Sequence, residues 1–397
     1  MQYNHIDCFS GVGGICTGFH AAGLSTKIAI EYVDSCVETY KENHPEVHIL
    51  SKDIRDVKAK EIKKILSETE IDIVTSGMPC ETFSTAGSKS RSFYDHRQFL
   101  FKEGIRIAKV TNSRLILFEN VVGIMSKKVE KGSEILIMDE LYKELEKAGY
   151  KNYISIVLNA SDFGIPQSRE RFFVLASKNK DWKLEGPTPK LDFKSTTVQE
   201  AFIDIPNVEV NSGNEINWYN KESSPYSKLM RNGNFWKRAN NASLTYHMPP
   251  NHREATIERF KLIQPGEGLK DLFTKFSDAQ IKELQKKRIM PKNYYIQRNR
   301  RLVLESISPT VTSHCIDELI HPIYNRALTV RECARLQGFP DSYTFPGGPY
   351  IIPHLYHIQD KYEQIGDAVP PLLAYAWGEK IKSILNTYLK KKDKNAA

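Results

Sequence analysis

Asp7-Cys8-Phe9-Ser10-Gly11-Val12-Gly13-Gly14 is the stretch on which the fold of this chain turns. It follows a short strand candidate, Tyr3–Cys8, and opens a helix. Glycines at such a strand-to-helix turn let the backbone bend sharply and come close to a ligand. Glu31 ends the second strand candidate, 20 residues after Gly11. That is where an acid accepts hydrogen bonds from ribose hydroxyls. Asp53, after the next element, could take an adenine amino group. Together they predict a nucleoside cofactor. The glycine spacing is not a full G-x-G-x-x-G, because Cys16 stands at the last position. A dehydrogenase would read similarly, and so would a glycine turn that binds nothing.

Outward from this turn, the first 178 residues alternate strand and helix. Strand candidates are Tyr3–Cys8, Lys27–Tyr32, Ile71–Ser76, Arg114–Glu119, Tyr153–Asn159 and Arg171–Ala176. Helical stretches are Val33–Asn43, Ala59–Glu68, Phe99–Val110 and Glu134–Ala148. Short apolar strands separated by helices predict an α/β fold with a doubly wound, mostly parallel sheet covered on both faces. Near Asp181 the pattern breaks into proline-punctuated, Asn- and Ser-rich sequence with one clear helix around Asp278–Lys287. This is expected to be a second, smaller and irregular domain. Helices return at Thr329–Gly338 and Pro371–Leu389.

The chain has 397 residues, 40% hydrophobic and 26% charged, which excludes a disordered or fibrous protein. Its apolar runs reach about five residues, against the 18 or more of a membrane span. A soluble protein without a membrane partner is expected, and six scattered cysteines fit a reducing cytoplasm. Net charge is +8 and unevenly spread. Residues 220–305 hold 18 Lys and Arg against 8 Asp and Glu, leaving 38 against 40 elsewhere. Among these cations stand Tyr226, Phe235, Trp236, Tyr246, Tyr294 and Tyr295. Cations mixed with aromatics suit a polyanion with bases to touch, although a solvated lysine-rich surface has the same charge.

Gly77-Met78-Pro79-Cys80-Glu81-Thr82-Phe83-Ser84 sits just past the strand Ile71–Ser76, and chemistry in open α/β sheets collects at the carboxyl ends of strands. Pro79 fixes the backbone before the thiol, so Cys80 is read as aimed. Cys8, Cys16, Cys36, Cys315 and Cys333 take the ordinary reading of core residues. Glu119 follows the apolar run Leu115–Phe118, and its pKa is expected to rise through desolvation. Arg169 and Arg171 alternate along an extended segment and so share one face. His44 and His48 lie close in sequence without a third metal ligand in view, so no metal is expected.

These blocks, in this order, resemble the DNA (cytosine-5) methyltransferases. The likeness continues through Ser308-Pro309-Thr310, Arg326–Pro340 and Gly366-Asp367-Ala368-Val369-Pro370, and leaves the central segment unmatched. The resemblance implies a Rossmann-like methyltransferase fold with a catalytic domain at 1–178 and a target recognition domain at 179–358. Residues 359–397 would return to the catalytic domain. It implies S-adenosylmethionine as methyl donor, with S-adenosylhomocysteine as product. Expected cofactor contacts are Asp7, Phe9, Ser10, Gly11, Gly13, Gly14, Glu31, Tyr32, Asp53, Ile54, Gly77, Pro79, Asp367 and Ala368. Cys80 would attack cytosine C6, Glu119 would hold N3 and the exocyclic amine, and Arg169 would orient both, supported by Arg171. The substrate would be a cytosine flipped from duplex DNA, the enzyme a monomer, and a restriction endonuclease its possible partner. Two departures stand out. Glu81-Thr82 replace the usual Gln-Pro after the proline-cysteine pair, and Asp367-Ala368 replace Asn-Ser. An RNA cytosine-5 methyltransferase of the same fold, a catalytically silent DNA-binding module and a nicotinamide oxidoreductase are the rival readings.

Overall fold

In the computed structural model, residues 2–79, 96–189, 196–239, 243–294, 296–352, 355 and 357–395 are described. The first unit runs β1 (Tyr3–Cys8), α1 (Gly14–Ala22), β2 (Leu24–Glu31), α2 (Asp34–Asn43), β3 (His48–Ser51), α3 (Ala59–Leu66), β4 (Ile73–Ser76), α4 (Phe101–Val110), β5 (Leu115–Asn120), α5 (Ile137–Lys147), β6 (Asn152–Asn159) and β7 (Glu170–Ser177). All six strand candidates form strands. The seventh, β3, escaped the sequence reading because four residues carry too little pattern.

The strands are ordered β3-β2-β1-β4-β5-β7-β6. The first five are parallel, whereas β7 runs antiparallel to both β5 and β6. The chain builds outward from β1 to β3, then crosses back to start β4 on β1's other side. Ligands of open α/β sheets bind at such a reversal, outside the carboxyl ends of the strands.

Successive strand residues point to opposite faces, so each strand feeds two cores. Ile6, Cys8, Ile30, Val74, Ile116, Phe118 and Val174 pack toward α3, α4 and α5. Tyr3, Ile73, Leu115, Leu117, Phe173 and Leu175 face α1 and the last helix, α15, defined below. Both faces being covered explains why these strands read as apolar runs without alternation.

After β7 come α6 (Val198–Phe202), α7 (Pro225–Met230), α8 (Gly233–Trp236), α9 (Glu254–Leu262), α10 (Leu269–Lys275), α11 (Asp278–Lys286), β8 (Arg300–Arg301), α12 (Cys315–Glu318), β9 (Leu319–Ile320), α13 (Val330–Gln337), α14 (Lys361–Asp367) and α15 (Pro371–Asn395). The core does not break where the domain boundaries were expected. Trp182, Val198, Phe202, Tyr226, Trp236, Leu336 and Phe345 belong to the same cluster as Phe19 of α1 and Trp377 of α15. Within 179–358, a separate cluster of Phe260, Ile263, Leu269, Leu272, Met290 and Ile320 is built around α9 and α10. The expected irregular domain thus divides into a small helical unit and a larger part that merges with the main core. Helices of four to nine residues show little periodicity, and several are set by capping instead, as where Thr197 and Glu200 bracket α6.

The C-terminal return packs on the sheet. A side chain at Gly18 of α1 would collide with the backbone of Pro371 and Tyr375 at the start of α15. Only glycine allows helices this close. Among the described residues, no helix is long and apolar enough to cross a membrane.

Candidate active site

At the carboxyl ends of β1, β2, β4 and β5 the chain encloses a cavity of about 620 Å³, within the usual range for small-molecule sites. Its wall runs from Glu31, Tyr32, Asp53 and Ile54 at one end, past Phe9, Ser10, Gly11 and Gly14, to Gly77, Pro79, Glu119 and Arg171. Asp367 and Ala368 close it from the C-terminal side. Two sets of residues that sequence reading separated, nucleoside contacts and cytosine chemistry, therefore border one space.

The glycine turn needs its unusual backbone. Phe9, Gly11 and Gly13 all have positive φ, at 58°, 52° and 89°. For Phe9 this is strained, and such strain collects at binding sites held by their surroundings. One tie is the Ser10 N–H, which donates to the Ile30 carbonyl at 3.1 Å. Another is Glu31, whose carboxylate accepts from the backbone N–H groups of Gly11 (2.8 Å), Tyr32 (2.8 Å) and Val33 (2.9 Å). Burial nevertheless raises its pKa against these three bonds. Ser10 Oγ is buried on this wall without a partner among the described residues. Gly14 meets the Val369 carbonyl so closely that a Cβ would clash, which locks the C-terminal return onto the turn.

Three expected cofactor contacts sit differently. Asp7 is fully buried on β1, beneath the turn and off the cavity wall. It accepts a hydrogen bond from Thr75 Oγ1 at 2.7 Å. Thr75 in turn meets His5 Nε2, and His5 Nδ1 meets Thr26. Alternation along the strand turns Asp7 inward while Phe9 reaches the ligand side. Gly13 is likewise off the wall, with the buried His44 ring over its Cα. Asp53 is on the wall, but its carboxylate grips Arg55 Nε (2.9 Å) and Nη2 (2.5 Å). An adenine amino group would have to share it.

At the other end, the Gly77 N–H donates to the Cys8 carbonyl and Asn120 Nδ2 holds the Met78 carbonyl at 3.2 Å. This fixes the segment entering the proline-cysteine block. Asn120 was missed as a positioning residue although it adjoins Glu119 in sequence. Cys80, Glu81 and the loop to Asp95 lie outside the described residues. Glu119 is buried, and burial raises its pKa despite opposing fields from Arg171 and Arg169. Arg171 Nε lies 3.1 Å from Glu119 Oε1 and borders the cavity.

Arg169 departs from its expected place. It is 2% exposed, off the wall, and donates to the carbonyls of Val311 (2.7 Å), Gly366 (2.8 Å) and Ala368 (3.2 Å). The arginine in contact with Glu119 is Arg171. Arg97, Leu100, Gln359 and His357 also border the cavity. They were missed because they come from loops and helix ends without a motif.

The aromatic set of the basic segment is mostly core. Tyr226 and Trp236 are 5% and 1% exposed, and their polar tips donate to the Arg335 and Leu229 carbonyls. Tyr294 is exposed, Tyr295 lies outside the described residues, and Lys282, Lys286, Lys287, Arg288, Lys292 and Arg300 face solvent. Arg259 and Arg301 turn inward onto backbone carbonyls. Among the described residues, no group of three or more His, Cys, Asp or Glu could hold a metal ion.

The family model for C-5 cytosine-specific DNA methylases matches residues 3–383. The type II methyltransferase M.DdeI of Desulfomicrobium norvegicum is 34% identical over 95% of this chain and 88% of its own. M1.HphI of Haemophilus parahaemolyticus is 28% identical over 96% and 87%. A solved structure assigned as a prophage-encoded DNA modification methyltransferase of E. coli covers 97% of this chain and 100% of its own, at 25% identity and a TM-score of 0.73. The chain belongs to the C-5 cytosine-specific DNA methylases and is a DNA (cytosine-5) methyltransferase.

Proposed function

We propose that the cavity holds S-adenosylmethionine and that Cys80 carries the transfer covalently, on a cytosine turned out of duplex DNA. The observation that carries this reading is the single cavity shared by Glu31 and the Glu119–Arg171 pair. The residues suit the cofactor. Glu31 offers acceptors for ribose hydroxyls, and the unpartnered Ser10 Oγ has room for a ligand atom. The open turn at the N-terminus of α1 suits the amino-acid carboxylate, and the carboxylates of Glu31, Asp53, Asp367 and Glu119 suit its positive charge. When bound, the cofactor supplies an electrophilic methyl group.

Cytosine C5 is too weak a nucleophile to take that methyl unaided. Cys80 thiolate bonds to C6, the C5–C6 π electrons become available at C5, and C5 bonds to the methyl. Glu119, its pKa raised by burial, holds N3 and the exocyclic amine and lends a proton as charge builds on the ring. Arg171 fixes the Glu119 carboxyl and stabilises it when ionised. Water takes the C5 proton, and the released electron pair re-forms the double bond and expels the Cys80 thiolate. This is nucleophilic catalysis that splits one hard step into two.

A stacked base is out of reach of the cavity, so the target must be flipped. The exposed cations of 282–300 suit phosphate contacts beside it. We infer further that the enzyme is cytoplasmic, acts as a monomer, and serves a restriction-modification pair.

DNA carrying 5-fluorocytosine at the target tests the chemistry. Fluorine cannot leave as a cation, so the Cys80 adduct should survive denaturing electrophoresis, need S-adenosylmethionine for full yield, and vanish in Cys80→Ala. A resistant adduct in Cys80→Ala, or a peptide map placing the base on another cysteine, would overturn the assignment.

A further inference from the structure

His357 borders the cavity but belongs to no motif that the sequence reading absorbed. It sits in a turn between Leu355 and Ile358, which form an antiparallel bridge. Two residues on, Gln359 is tied to α2 from three directions. Its N–H donates to Ser35 Oγ at 2.8 Å, its Oε1 accepts from Cys36 Sγ at 3.1 Å, and its carbonyl accepts from Gln364 Nε2 at 3.0 Å. The other foot of this strap is held by Lys361 Nζ, which donates to the Phe345 (2.6 Å) and Gly348 (2.8 Å) carbonyls. Ring placement at 357 therefore rests on an anchored backbone.

The ring lies 6.4 Å from that of Tyr32, with the two planes at 89°. Tyr32 follows Glu31 directly and keeps 40% of its surface exposed. The two rings form a right-angled corner on the ribose side of the cavity, away from Glu119. A flat heterocycle stacked on one ring of such a corner presents its edge to the face of the other, and both arrangements are favourable for aromatic groups.

We propose that His357 is a further nucleoside-binding residue, forming with Tyr32 an aromatic corner that receives the purine of the methyl donor. This rests on the cofactor reading above. The corner also explains why an exposed histidine would stand at the end of a strap so firmly tied down.

Titration calorimetry with S-adenosylhomocysteine and with 5′-methylthioadenosine, which lacks the amino-acid end, tests it on the full chain. His357→Ala should weaken both by about three- to tenfold, the range of an aromatic contact. His357→Phe should stay close to wild type, because it keeps a ring on the corner. His357→Ala with wild-type affinity for both ligands would overturn the proposal, as would a loss confined to S-adenosylhomocysteine. Wild-type protein that binds neither ligand would instead overturn the cofactor reading itself. Position 357 is exposed, so the variants should fold, and equal thermal midpoints check this.

Discussion

Replacing Asp7 by Asn tests the buried layer that supports the glycine turn. Asp7 is fully buried, with Oδ1 accepting from Thr75 and Oδ2 without a partner among the described residues. Burial raises its pKa from 3.8 to about 7, with Glu31 adding to the rise and the Thr75 bond opposing it. An unfolded aspartate titrates near 3.9, so between roughly pH 4 and 7 the native protein binds this proton more tightly than the unfolded chain. The stability it contributes is fully present below about pH 4 and lost as pH rises through about 7. Each pKa unit is worth about 1.4 kcal/mol, so the loss between pH 5 and 8 is on the order of 3 kcal/mol. Asparagine imitates the protonated acid, and its carbonyl can keep the Thr75 bond. Asp7→Asn should match wild type near pH 5 and exceed it by that amount near pH 8. Urea unfolding at matched pH measures the difference, from which the titrations of Glu31, Asp72 and Glu119 largely cancel. A difference that stays within 1 kcal/mol from pH 5 to 8 refutes the reasoning. A large loss of S-adenosylhomocysteine affinity in the same variant would return Asp7 to the cavity wall.

Two further outcomes follow from the same geometry. Glu31→Ala should weaken S-adenosylmethionine binding by about 1.5–3 kcal/mol, the range for hydrogen bonds to a charged group, without abolishing DNA binding; unchanged affinity by calorimetry would remove Glu31 from the site. Arg335→Ala should destabilise the fold by about 3–5 kcal/mol, because Arg335 Nη1 holds Asp204 Oδ1 at 2.9 Å and the guanidinium also grips Asp341, all three groups fully buried. A shift under 1 kcal/mol in urea unfolding would show that the network relaxes around the gap.

What the sequence revealed depended on how local its cause was. The strand Tyr3–Cys8 was legible to the residue because both faces are covered, so every position is apolar or small enough to read. Glu31 was legible because strand length and turn geometry fix its distance from Gly11. The orientation of Asp7 was not, although its alternation with Phe9 carried the signal. The roles of Tyr226 and Trp236 were hidden because aromatics beside cations look the same on a nucleic-acid surface and in a core. Their burial depends on α13, about 100 residues further along the chain. His357 was illegible for a similar reason: its place is set by Gln359 on α2, across more than 300 residues.

The pair Arg169 and Arg171 shows how this limit shapes the site. Their alternation correctly put both on one face, and both exert a field on Glu119. Depth along that face then separates them. Arg171, inside β7, reaches the cavity edge and touches the carboxylate. Arg169, just before β7 begins, meets the Val311 carbonyl and those of Gly366 and Ala368 instead. Those acceptors come from two segments that follow the basic region and reach the sheet separately. One of them carries Asp367 and Ala368, which close the cavity wall. A buried guanidinium has five donors in a rigid fork, and here three carbonyls take them without any carboxylate in contact. Lysine could not span that set, so the arginine at this position is explained by joining the C-terminal wall to the catalytic sheet. Its influence on Glu119 is then exerted through space and through the shape of the wall, while the contact that can follow a proton on Glu119 belongs to Arg171.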